Sequence, residues 1–170
     1  MNSQNQIVVQ QIYKVEKPQV FKVATNNNLT LILVATTQAN YEVTVQLTGE
    51  NANVQIFGII LGFATHNISV KTLQEHQAPH TTSNLLIKSA LSDRSQFNYE
   101  GFIKVQKRAQ QTDAYQRNEN LMLSPTAKAE SKPALEILAN DVRCTHSATI
   151  GKIDTEQLFY LESRGISQTH

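Results

Sequence analysis

At 170 residues, 40% of them apolar, the chain is long enough for one domain that buries about two-thirds of its surface without cross-links. A formal net charge of +1 and scattered lysines and arginines exclude the basic stripe of a nucleic-acid binder, and the short Lys104–Arg108 cluster reads as a solvated strand edge or turn. The single cysteine, Cys144, excludes an internal disulfide and a four-thiolate site, and it suits a reducing, cytoplasmic setting.

Residues 1–25 form a polar, Gln- and Asn-rich segment with Val and Ile interspersed, expected to supply a ragged first strand or coil. The segment lacks a basic region followed by a long apolar run, so it is not read as a signal peptide. No stretch approaches the ~18 apolar residues of a membrane span. From 26 to 153 the pattern is β. Leu29 to Val34 is rich in Leu, Ile and Val. In Tyr41 to Leu47, Tyr41, Val43, Val45 and Leu47 share one face while Glu42, Thr44 and Gln46 share the other. Val54, Ile56 and Gly58 continue the alternation before the run Ile59-Ile60-Leu61. Then come Ile68 and Val70, Leu85 and Ile87, Phe102 to Val105, and Leu135 to Leu138. Turn signals separate them: Asn26-Asn27-Asn28, Gly49-Glu50-Asn51, His66-Asn67, Ser83-Asn84, Ser92-Asp93-Arg94 and Asn140-Asp141. Residues 154–170 read as a short helix and tail, with Asp154 as N-cap, Glu156 in the first turn and Gly165 as the stop.

Short strands at this spacing make a sandwich, a barrel or a β-solenoid. The solenoid is favoured because aliphatic strands run into small-residue corners, as in Gly58-Ile59-Ile60-Leu61-Gly62, which suits coils around a narrow core. Asn-rich corners suit stacked turns, where side-chain amides bond to the neighbouring coil. No fixed repeat length emerges. Enzyme constellations are not expected either. No glycine spacing makes a phosphate loop, Ser124-Pro125 is no nucleophile elbow, and Asp93, Asp113, Asp141 and Asp154 lie far apart in sequence.

The second half carries a resemblance. Thr82-Ser83-Asn84-Leu85-Leu86-Ile87-Lys88 looks like a TSN-x-L-x-K strand, and Phe97 to Val105 like an F-x-G-x-I-x-V segment with one extra residue. Gln111 to Gln116 and Asn120 to Ser124 resemble TDAYQ and NLLLS stretches. Lys132-Pro133-Ala134-Leu135-Glu136-Ile137, followed by Asp141 to Gly151, resembles KPxLEI…DDVxCSHGATxG. Ile153-Asp154, Leu158 to Leu161 and Ser163 to Ile166 follow in the same order. Over roughly residues 30–167 the chain is similar to the SufB/SufD family of SUF-type iron–sulfur cluster assembly scaffolds, on the SufD side. Two positions bear on that side: Ala127 falls near the cluster-building cysteine of SufB-like members, and Ser147 stands where SufD usually has Gly.

The resemblance implies a right-handed parallel β-helix and a non-enzymatic scaffold subunit. Its cargo would be an iron–sulfur cluster or iron, held transiently and shared with a partner. The partner would be a SufB-like protein, or a second copy through the C-terminal coils. A SufC-like ATPase would join indirectly, because the helical domain that binds it in the family is not matched here. A flavin is expected only at the level of the whole complex, and neither nucleic acid nor membrane is expected as a partner. His146 falls at the SufD histidine proposed to bind a cluster or iron at the subunit interface. Imidazole suits that role. Cys144, two residues earlier, faces the same side of an extended strand. That face, with Val142, Ala148 and Ile150, is otherwise apolar, so a packed core or interface histidine stays open, as does a packed thiol. His76 and His80, flanking Pro79, are weaker candidates that could also be turn-capping imidazoles. Arg143, Thr145 and Ser147 are interface candidates. Two other readings remain: a structural dimerisation module that builds no cluster, and, more distantly, a carbohydrate-active β-helix.

Overall fold

The computed structural model describes residues 4–12 and 18–167; residues 1–3 and 13–17 of the N-terminal segment and 168–170 of the tail lie outside the described residues. Within it the chain winds as a parallel β-solenoid of two sheets, followed by one short helix. The odd strands β1 (Asn5–Gln11), β3 (Asn28–Ala35), β5 (Asn53–Gly62), β7 (Thr82–Leu91), β9 (Thr112–Met122) and β11 (Val142–Lys152) form one six-stranded sheet in that order. The even strands β2 (Gln19–Val23), β4 (Ala39–Leu47), β6 (Asn67–His76), β8 (Gln96–Val105) and β10 (Lys128–Ile137) form a five-stranded sheet opposite. Every pairing is parallel, and each coil adds one strand to each sheet.

The period-2 patterning explains the layers. Along β5, Val54, Ile56 and Ile60 are buried while Gln55, Phe57, Ile59 and Leu61 are exposed. The inward residues of both sheets stack into columns from coil to coil, such as Leu31 on Ile56 on Leu85 in the odd sheet. Tyr41, Leu31, Leu33, Leu47 and Ile68, all fully buried, fill the early coils with apolar volume.

The corners are stacked too. Asn26, Asn51, His80 and Gln111 occupy equivalent turns and all have left-handed backbones, with φ of 57–58°. Their N–H groups bond to the next coil, as in Asn26 N–H to the Glu50 carbonyl at 3.0 Å and His80 N–H to the Gln110 carbonyl at 2.9 Å. The expected amide ladders are present: Asn51 Nδ2 donates to Asn26 Oδ1 at 3.2 Å, and Asn28 Nδ2 to Asn5 Oδ1 at 2.8 Å. At the opposite corner Ala64 takes φ 53°, and its N–H donates to the Asp93 carboxylate at 2.7 Å. Alanine pays a steric penalty there that glycine avoids. Ala64→Gly is expected to raise unfolding stability by about 0.5–1 kcal/mol, read from urea midpoints, because the relief exceeds glycine's extra unfolded-state entropy.

The outer faces of the two sheets differ. The even sheet carries alternating charge in register: Glu42, Lys71, Glu100, Lys132 in one column, and Gln46, Glu75, Lys104, Glu136 in another. Lys71 lies 2.8 Å from Glu100 and Lys104 lies 3.4 Å from Glu136. The Lys71 ammonium, by hydrogen bond, holds the Glu100 carboxyl below its ordinary range. At Glu75, burial works to raise the pKa, but hydrogen bonds from Gln77, Gln46 and Gln106 outweigh it and the net shift is downward.

The C-terminal helix α1 (Thr155–Ser163) starts at Asp154, whose side chain accepts the Glu156 N–H at 2.7 Å, and Gly165 follows it at φ 82°.

Candidate functional site

The candidate site lies at the C-terminal end of the solenoid, where β11 is the last strand of its sheet. Register sets its inward side chains on β9: Val142 on Thr112, Cys144 on Ala114, His146 on Gln116, Ala148 on Asn118 and Ile150 on Asn120. Strand β11 has a neighbour in its sheet on one side only. Its inward side chains are therefore covered from one direction, and His146 and Ile150 are exposed although their parity points to the core. Cys144 and His146 do share a face, with Cα atoms about 7 Å apart for a two-residue step.

Their surroundings differ. Cys144 is half-buried against a small cluster that includes Ala114, Ala139, Leu135 and Val142. Burial pushes its thiol up, with the Asp113 carboxylate adding to the effect, so the thiolate is disfavoured at neutral pH. His146 stands in the open.

Beneath them the core changes character. Of the six inward positions of β9, Thr112, Gln116, Asn118 and Asn120 are polar and buried, and only Ala114 and Met122 are apolar. Asn120 Nδ2 donates to Asn118 Oδ1 at 2.7 Å and to the Thr149 carbonyl of β11 at 3.2 Å, while Ser89 Oγ donates to Asn120 Oδ1 at 2.7 Å. Gln116 crosses the interior directly under His146, and Gln74 Nε2 reaches its Oε1 at 3.5 Å. This crossing requires Gly101, since a Cβ there would sit 2.2 Å from Gln116 Nε2. Gln74 Oε1 and Ser131 Oγ are buried and have no hydrogen-bond partner. The later coils thus enclose a polar stretch from Gln116 to Asn120 beside a small apolar cluster, whereas the first coils enclose an aliphatic interior.

The other sequence candidates fall elsewhere. His76 is fully buried at the end of β6. Its Nδ1 lies 2.7 Å from Thr81 Oγ1 and its Nε2 2.9 Å from Ser83 Oγ. Thr81 Oγ1 donates to the Ala78 carbonyl, which leaves it to accept from Nδ1–H; Ser83 then donates to Nε2. Both ring nitrogens are engaged within the chain. His80 is exposed at its corner, with Nε2 4.0 Å from Glu50 Oε1. Arg143 clasps Asp113 of the neighbouring coil through Nη2 at 2.6 Å and Nε at 3.2 Å, on the outer face of β11 beside Thr145 and Ser147. Ala127 is buried at the corner before β10. Among the described residues no three of His, Cys, Asp and Glu gather as a metal-binding group, so His146 and Cys144 stand as a partial donor set at an open end. Gln116, Gln74 and Gly101 had no role on sequence grounds.

A family model described as "SUF system FeS cluster assembly, SufBD core domain" matches residues 10–170. The chain is 38% identical over 128 residues to the iron-sulfur cluster assembly protein SufD of Escherichia coli (strain K12), which covers 75% of this chain and 30% of that protein. It is 40% identical over 89 residues to an iron-sulfur cluster assembly SufBD family protein of Synechocystis, covering 52% of this chain and 20% of the relative. It is 34% identical over 129 residues to the chloroplastic protein ABCI7 of Arabidopsis thaliana, covering 74% of this chain and 27% of the relative. The chain therefore spans less than a third of the length of each of these relatives. The parallel solenoid and the match over nearly its whole length agree, and this chain belongs to the SufBD core family of the SUF iron–sulfur cluster assembly system.

Proposed function

We propose that the chain is a SufD-like scaffold subunit that pairs through its terminal coil with a SufB-like partner, and that His146 offers its imidazole to iron or a nascent cluster at that seam. The observation that carries this reading is the exposure of His146 on the inward face of the last strand, at a coil end that a second chain can close. The iron or cluster is cargo, and its remaining ligands come from the partner. The two strand edges at this end are unequal. Strand β10 contains Pro133, which lacks a backbone donor, and the charges Lys128 and Lys132; β11 has eleven residues without proline. Proline cannot donate to a strand ladder, so β11, which has none, is the edge suited to a partner strand. A SufC-like ATPase then acts through the partner.

His146→Ala is expected to lower the iron and sulfide retained by the assembled complex at least about tenfold, the lower bound seen even for outer-shell partners of metal ligands. Iron and acid-labile sulfide are assayed on the complex purified anaerobically, with chain stoichiometry checked. Unchanged content in an intact complex would remove His146 from the ligand set.

A second reading, a dimerisation module that builds no cluster, draws support from Cys144, which packs against Leu135 and Val142 with its thiol pKa raised. Co-expression with SufB-like and SufC-like chains separates the two: recovery of this chain only with itself favours the module.

A further inference from the structure

The outer face of the odd sheet is unlike that of the even sheet. In register, Phe57 lies beside Leu86, and Leu61 beside Ala90 and then Leu121, with Ile59 between the two columns. Ile59 is 48% exposed, Leu61 44% and Leu121 38%, which is a contiguous apolar surface rather than scattered single residues. The even sheet instead flanks a single apolar column, Leu73, Phe102 and Ala134, with a charge ladder on either side. All-parallel sheets with aliphatic outer faces are covered in folded proteins, most often by helices.

The surface has relief. Ala90 and Gly151, flanked by Ile59, Leu61 and Leu121, floor a groove of about 480 Å³. A Cβ added at Gly151 would meet nothing within 4 Å, so the groove is open along that side. Its rim is charged, and the charges do not cancel. Lys88 and Arg117 both pair with the same carboxylate, Glu119, at 3.1 and 3.0 Å. Two cations thus share one anion, which leaves an excess positive charge beside the apolar columns.

The geometry points to this groove as the docking site for an acidic amphipathic α-helix of a partner protein, its aliphatic side chains over Ala90 and Gly151 and its carboxylates toward Lys88 and Arg117. A helix fits because it can lay one apolar stripe along the columns while its flanks meet the cationic rim. The groove is on the outer face of the odd sheet, whereas the scaffold reading uses the edge and inward face of β11; the two share that strand, and each has its own readout.

The probe is a fluorescently labelled 18-residue helix with leucine at i, i+3, i+4 and i+7 spacing and glutamate on both flanks, titrated with the full chain and read by anisotropy. The same peptide with lysine for glutamate is the control. The glutamate peptide is expected to bind at least tenfold more tightly than the lysine peptide. Ala90→Arg, which fills the groove, and Lys88→Glu, a surface change that leaves the core intact, are each expected to weaken it several-fold with melting temperature unchanged. Should Ala90→Arg fail to fold, Lys88→Glu alone decides. Equal affinity for both peptides, no effect of Lys88→Glu, tighter binding to phosphatidylglycerol vesicles than to the peptide, or a dimer in light scattering that Leu121→Ala dissolves would each overturn the proposal.

Discussion

Lowering the pH from about 7 to 4.5 is expected to remove most of about 3 kcal/mol of unfolding stability, through one imidazole. Burial holds the pKa of His76 down from 6.5 to about 4. In the unfolded chain the ring takes up its proton as the pH falls through 6.5, and in the folded chain it stays neutral until about 4. The unfolded state therefore binds more protons throughout that window, so stability is full above it and declines as the pH drops across it. No compensating anion is available. The inward neighbours of His76 in register are Leu47 and Val105, and the other groups it meets are the hydroxyls of Thr81 and Ser83. Glu75 and Lys104 are on the outward parity of their strands. Carboxylates held low, such as Glu75 and Glu100, lose their contribution only below their ordinary value of 4.5, so the interval from 6.5 to 4.5 isolates the histidine. Urea titrations at half-unit pH steps measure the slope. His76→Gln keeps a donor and an acceptor without titrating and is expected to flatten it; parallel slopes in the two proteins would assign the effect elsewhere.

Gly49→Ala is expected to cost about 3 kcal/mol, the upper end for forced overpacking, and to act on the early coils. Gly49 sits in the corner between β4 and β5, pressed on the corner of the preceding coil. An added Cβ would lie 1.9 Å from Thr25 N and 2.5 Å from Thr25 Cα, both backbone atoms that cannot rotate away. The corners would have to separate, and with them the bonds from Gly49 N–H and Thr48 N–H to the Val23 carbonyl. At Gly101 the obstructing atoms belong to the flexible end of Gln116, so a local shift can relieve the clash there. The difference is between moving one amide and moving a coil. Denaturant midpoints, with hydrogen exchange at residues 24–28 as a local readout, test it; a midpoint within 0.5 kcal/mol of the parent would mean the corner yields.

Strand positions were legible where inward residues are aliphatic. Tyr41, Val43, Val45 and Leu47 read as one face and are buried together. Strand β9 was opaque for the opposite reason: with Thr112, Gln116, Asn118 and Asn120 pointing inward and only Ala114 and Met122 apolar beside them, its pattern is close to that of a solvent-facing strand. The absence of a crisp repeat also has a geometric cause. Successive coils are not of equal length: Asn28 pairs with Asn5 and with Asn53, whereas Thr82 pairs with Asn53 and with Asp113, so the spacing drifts and autocorrelation blurs. Asn26, Asn51 and Asp93 announced their corners by residue type, since Asn and Asp tolerate the left-handed backbone; Ala64 and Gln111 gave no such signal. At the candidate site, spacing put Cys144 and His146 on one face. Only the position of β11 as the last strand of its sheet distinguishes an exposed imidazole from a core one, and that is a property of the whole coil count rather than of the local residues.

The charge ladders on the even sheet make coil number count in pairs. Glu42, Lys71, Glu100 and Lys132 alternate in sign down one column, and Glu75, Lys104 and Glu136 down another. Excising the single coil that carries Lys71 would seat Glu42 on Glu100, and excising the one that carries Lys104 would seat Glu75 on Glu136. Like charges directly opposed on neighbouring strands are unfavourable. Removing two adjacent coils restores the alternation. The surface of this solenoid thus acts as a parity check on its own length: a recombination event that drops or duplicates one coil is penalised, and one that moves two passes.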